Sequence, residues 1–62
     1  MAKFLKFAKQ AIKCEAIEGI TLYTNEVTVH TRHNRYTAYY NSLDEAKQAY
    51  QEVIAKLEAL LS

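Results

Sequence analysis

IEGITLY (residues 17–23), EVTVHTR (26–32) and RYTAYYN (35–41) follow one another through the middle of the chain, and how they pair decides the fold. Each is rich in Thr, Tyr, Val and Ile and alternates in polarity, the habit of an antiparallel strand with one buried face. Thr24-Asn25 and His33-Asn34 separate them. Both breaks end in Asn, which tolerates the left-handed backbone that two-residue hairpin turns demand. With such turns at both places, Leu22 faces Val27 and Ile20 faces Val29, while Val29 faces Ala38 and Val27 faces Tyr40. Ile20, Leu22, Val27, Val29, Tyr36, Ala38 and Tyr40 then share one side of a three-stranded meander, and a slip of one residue would scatter them.

The element that covers this side comes next in the chain. Ser42-Leu43-Asp44-Glu45 has the form of a capping box, the Ser hydroxyl accepting from the N–H of Glu45 and the Glu carboxylate returning to the N–H of Ser42. Behind it Leu43, Ala46, Tyr50, Val53, Leu57 and Leu60 recur at alternating spacings of three and four, with Ile54 and Leu61 widening the stripe. Asp44 and Glu45 suit the positive end of the helix dipole, and Glu52 with Lys56 makes an i, i+4 pair in the favourable order. A helix over 42–61, measured from the residue after its Ser42 cap, would be about 28 Å long, against about 23 Å for a seven-residue strand. Its last turn is therefore expected to overhang the sheet, leaving Leu57, Leu60 and Leu61 as candidate oligomer contacts.

Residues 1–16 admit two readings. Phe4, Phe7, Ala8, Ala11 and Ile12 fit a helical stripe with Lys3, Lys6, Lys9 and Lys13 turned outward, while a strand over 3–7 with a return over 11–14 fits equally. No Gly or Asn stops a helix before Glu18-Gly19, which weakens the helical reading.

The run AIKCEAIEGITLY, a polar Asn turn, EVTVHT, a second turn, RYTAYYNS and LDEAKQAY resembles short uncharacterised bacterial and phage proteins and, loosely, the flagellar FlbD-like group. Those proteins begin with a strand, form a small meander and close with one helix after a Ser-x-x-Glu-like start. The resemblance covers most of the chain, implies a strand over 3–8 and carries no catalytic residues with it. The expected fold is thus α+β, a three- to four-stranded antiparallel β-meander with a C-terminal amphipathic helix packed on one face, in a single domain.

At 62 residues, half of them hydrophobic and 24% charged, the chain has the composition of a globular domain. So small a domain buries only about 60% of the surface its unfolded chain exposes, and one cysteine gives no internal disulfide, so a homodimer is expected. No apolar run approaches the roughly 20 residues of a membrane span, and the lysines of MAKFLKFAKQ interrupt any secretory h-region, so the expected location is cytoplasmic. The net charge of +1 divides into six Lys/Arg against three Glu over 1–41 and two Lys against four Asp/Glu over 42–62. That is a mild dipole, short of the basic excess of a domain that lives on nucleic-acid backbone.

Catalytic chemistry finds no footing. Ser42 is explained by capping and lacks a glycine-flanked elbow, and Asp44 and Glu45 sit where a helix start favours their charged forms. One glycine cannot build a phosphate-binding loop. His30 and His33 lack companion metal ligands, and Cys14 has no CxxC neighbour and is expected to be a half-buried small hydrophobe. No enzyme activity, metal or cofactor is expected.

The open face of the meander is the candidate binding surface: Tyr23, Thr28, His30, Arg32, Arg35, Thr37 and Tyr39, together with Thr21 and Glu26. In the register above Arg32 and Arg35 lie opposite each other, a pairing that costs up to about 1 kcal/mol unless an anion joins it. Tyr and Arg are enriched in protein interfaces, which makes a protein partner the leading expectation. The competing expectation is a single-stranded nucleic acid, with bases stacked on Tyr23 and Tyr39 and phosphates held by Arg32 and Arg35.

Overall fold

In a computed structural model that describes residues 3–62, the chain is an α+β fold. It comprises a two-stranded antiparallel hairpin, a three-stranded antiparallel meander and one C-terminal helix. The elements are β1 (Phe4–Phe7), β2 (Gln10–Lys13), a 3-10 turn (Cys14–Ala16), β3 (Ile17–Tyr23), β4 (Glu26–Thr31), β5 (Arg35–Tyr39) and α1 (Leu43–Leu61).

The N-terminal segment takes the strand-and-return form, although residues 1 and 2 of it lie outside the described part. Leu5 pairs with Ile12 and Phe7 with Gln10, and Cys14 N–H donates to the Lys3 carbonyl at 2.9 Å to extend the ladder. Alternation buries Leu5, Phe7, Ile12 and Cys14 on one side, while Phe4 and Ala11, which a helical stripe would have turned inward, stay exposed. All four lysines of the segment face outward on either reading. Ala8 and Lys9 close the hairpin with φ of 52° and 63°. Positive φ at both central residues is the requirement of a type I′ turn, and neither residue favours it.

β3 and β4 pair as the alternation predicts, Leu22 with Val27 and Ile20 with Val29. The left-handed residue of their turn is Thr24, at φ 49°, and not Asn25. Asn25 serves a different purpose: its carbonyl accepts from Tyr40 N–H at 2.9 Å and its Nδ2 donates to the Tyr40 carbonyl at 2.8 Å, tying the chain beyond β5 to the first turn.

The second hairpin departs from the expected register by two residues. Val29 pairs with Tyr36 and Val27 with Ala38, so Arg32 and His33, not His33 and Asn34, form the tip. The Thr31 hydroxyl is the cause. It accepts from Asn34 N–H at 3.0 Å and donates to the Asn34 carbonyl, which also takes Thr31 N–H at 2.8 Å, so side-chain hydrogen bonding closes the turn without a left-handed residue. An even shift preserves the faces, and the expected core side survives intact. It does not preserve neighbours: Arg35 lies opposite His30, and Arg32 has left the ladder.

Ser42 caps α1, its Oγ accepting from Glu45 N–H at 3.2 Å. The returning carboxylate goes one residue further back than in a standard box, Glu45 Oε2 accepting from Asn41 N–H at 3.3 Å. Ser42→Ala is expected to lose about 1 kcal/mol, read as a lower urea midpoint at unchanged m-value. From α1, Ala46 and Val53 are buried against Val27 and Val29 of β4, the hairpin's Leu5, Phe7 and Ile12, and Cys14 of the 3-10 turn. The thiol of Cys14 is thus fully inside, not half-buried.

The helix end is better covered than its length suggested, because α1 also packs on β1, which extends the floor beneath it. Leu57 and Leu60 are half-buried on the core; Leu61 remains 60% exposed. Leu43, counted in the apolar stripe, is exposed in the first turn. Tyr36, Tyr40 and Tyr50 are half-buried at the core margin.

Candidate functional site

The register arranges the outer face of β3–β5 in three cross-strand rows. Tyr23, Glu26 and Tyr39 form one end, Thr21, Thr28 and Thr37 the middle, and Gly19, His30 and Arg35 the other end. Each row contributes a different chemistry.

In the first row two rings flank a carboxylate, with Tyr23 73% and Tyr39 72% exposed. Both tyrosines sit on the edge strands of the meander, so no neighbouring strand screens them on one side. The middle row is a threonine ladder, where Thr28 and Thr37 hydroxyls meet at 3.1 Å. Thr21 Oγ1 reaches diagonally to His30 Nε2 at 2.9 Å and joins the middle row to the third. There, β3 carries the chain's one glycine. Gly19 pairs with His30 in step with the rest of β3 and so shares this face, a β-bulge separates it from Ile17, and the space where a Cβ would stand is open.

Six of the seven candidate residues are therefore brought together: Tyr23, Thr28, His30, Arg35, Thr37 and Tyr39. Arg32 is not among them. With His33 it sits at the hairpin tip, where the two line a shallow hollow with Lys13, Glu15 and Ala16. The destabilising Arg32–Arg35 opposition does not arise. Alternation puts Glu26 on this face without giving it a role, yet it is the acidic centre of the tyrosine row. Gly19 is an addition to the candidate set, although its parity with Thr21 and Tyr23 marks it as a member of the same face.

Comparison with known proteins brings no match: no family model, no curated protein and no solved structure. The likeness to the FlbD-like group rests on the quoted sequence pattern alone. No group of three or more His, Cys, Asp or Glu is placed to hold a metal ion among the described residues, and no helix among them is long and apolar enough to cross a membrane.

Phe4, Leu5 and Leu60, with the stems of Lys6 and Lys56, line a groove between β1 and the end of α1. Leu57 and Leu60 contribute to the core from here and only Leu61 projects freely, so the helix end offers less apolar surface than three uncovered leucines would.

Proposed function

We propose that the chain is a small non-enzymatic interaction module that engages a protein partner through the open face of β3–β5. The observation that carries this is the row Tyr23, Glu26, Tyr39. Two exposed aromatic rings on a rigid sheet supply contact area at low entropic cost, as interface anchors do. A carboxylate between them opposes the phosphates that would accompany stacked bases, and of the two arginines expected to hold such phosphates Arg35 stays on the face while Arg32 has moved to the hairpin tip. Mixed charge, tyrosine and threonine suit a protein surface.

The test is site-specific photo-crosslinking in the protein's native cells, with p-benzoylphenylalanine replacing Tyr39 or, as control, the exposed helix residue Gln51. Protease-sensitive, nuclease-resistant adducts from position 39 and none from position 51 are the expected result. Nuclease-sensitive adducts from position 39, or no adduct there, would overturn the reading.

A single-stranded nucleic acid is the second reading, favoured by the gathering of Lys13, Arg32 and His33, with the single carboxylate of Glu15, around one hollow beside the tip. Fluorescence anisotropy of labelled single-stranded DNA and RNA at low and high salt separates the two. The interaction-module reading expects no micromolar binding; binding that falls steeply with salt and is lost in Arg32→Ala/Arg35→Ala would transfer the site to nucleic acid.

A further inference from the structure

We infer that the partner on the open sheet face is a second copy of this chain, laid face to face about a two-fold axis that runs along the Thr21, Thr28, Thr37 row. This deepens the reading of the face as a docking surface and rests on it.

The inference follows from what symmetry does to the three rows. Two sheets stacked face to face about 10 Å apart with strands nearly aligned can be related by a two-fold axis lying in the interface, either along the strands or across them. An axis along the strands keeps each row at its own level. Glu26 would then face Glu26 of the second copy and His30 would face His30, while Tyr23 and Tyr39 crowd together at one end and Gly19 leaves a gap at the other. Like charges in that position oppose association.

An axis across the strands does the reverse. It keeps β3 over β3, β4 over β4 and β5 over β5, and exchanges the two outer rows about the threonine row. Tyr23 then lies over Gly19 of the second copy, where the missing side chain leaves open space for a ring. Glu26 lies over His30, whose Nε2 is already held by Thr21, so Nδ1 is the nitrogen left for the incoming carboxylate. Tyr39 lies over Arg35, an exposed guanidinium over an exposed ring. Each contact occurs twice. Large meets small, acid meets imidazole and cation meets ring, and the threonines meet their own kind on the axis, where hydroxyls can both donate and accept.

The groove between Phe4 and Leu60 shows no comparable self-complementarity, since both flanking charges, Lys6 and Lys56, are positive. A small domain with no disulfide also gains most from such an association.

Sedimentation equilibrium from micromolar to millimolar protein tests the arrangement. Wild type is expected at twice the 7.1 kDa chain mass. Glu26→Lys and His30→Glu should each weaken dimerisation at least about tenfold by placing like charges together or removing the imidazole partner. An equimolar mixture of the two variants should form a heterodimer, because the lysine introduced in one chain then meets the glutamate introduced in the other. Gly19→Thr is the complementary probe. A Cβ added there has no atom within 4 Å beyond its chain neighbours, and threonine is a better strand former than glycine, so the fold should be kept while the slot for Tyr23 is filled and the dimer lost. A wild type monomeric at millimolar concentration, or a dimer indifferent to Glu26→Lys and Gly19→Thr, would overturn the inference. The two proposals fail separately: a crosslink from position 39 to a different protein keeps the docking face and removes the second copy, whereas a dimer with no crosslink from position 39 removes the face.

Discussion

Leu5→Ala is expected to lose about 3 kcal/mol of folding stability, and Phe4→Ala less than about 1 kcal/mol, although phenylalanine is the larger side chain. The difference follows from the hairpin. Leu5 is 1% exposed, paired with Ile12 and enclosed with Phe7, Cys14, Val27 and Val29, so shortening it leaves a cavity that strands on both sides hold open. Phe4 is 51% exposed at the rim of the β1–α1 groove. A domain of this length commonly has only about 3–9 kcal/mol of stability in total, so the leucine variant would lose a third or more of it. Urea titration followed by far-UV circular dichroism measures both. Reversal of the order, with Phe4→Ala the costlier, would mean that residues 3–13 pack as a helix with Phe4 inside.

Ala8→Asn/Lys9→Gly is expected to stabilise the protein by about 2 kcal/mol, and Lys9→Gly alone by about half as much. Both residues hold a left-handed backbone, at 52° and 63°, where an L side chain crowds its own carbonyl. Asn and Gly are the pair that a type I′ turn prefers. Lys9 is exposed, so its removal loses no packing; Ala8 lies against the core, and Asn keeps the Cβ that makes that contact. At roughly 4–8 °C per kcal/mol for a domain of this size, the double variant should melt at least about 8 °C higher. The sign is what matters. In a helical segment the same two residues would fall in mid-helix, where glycine alone costs up to about 1 kcal/mol, and the melting temperature would drop.

How much of this molecule could be read from one chain varies with the range of the interactions involved. The helix from Leu43 to Leu61 and its Ser42 cap were legible because both depend on neighbours within four residues: the 3.6-residue apolar stripe and a hydroxyl three places before the amide it accepts from. The β3–β4 register was legible for a similar reason, a two-residue turn between strands whose alternation admits one pairing. The β4–β5 register was legible only to its parity. Alternation places Tyr36 and Ala38 on the core side in either pairing, but nothing in that pattern distinguishes a tip at Arg32-His33 from one at His33-Asn34. The Thr31 hydroxyl made that choice by its two hydrogen bonds to Asn34.

Composition and periodicity by themselves determined an α+β chain, a single amphipathic helix, a core side drawn from β3 to β5 and an outer side bearing Tyr23, Thr28, His30, Arg35, Thr37 and Tyr39. The tertiary structure decided the rest. Residues 4–13 have enough apolar side chains for a helix or a hairpin, and their own spacing leans slightly toward the helix that does not form. The choice falls to what they cover: as a hairpin they place Leu5, Phe7 and Ile12, with the adjoining Cys14, against Val27, Val29, Ala46 and Val53 and support Leu57 and Leu60. The same holds for the binding face. Which residues point outward is a local matter of alternation, whereas the alignment of tyrosines about Glu26, the isolation of Arg32 and the placing of Gly19 beside His30 depend on strands meeting across the sheet.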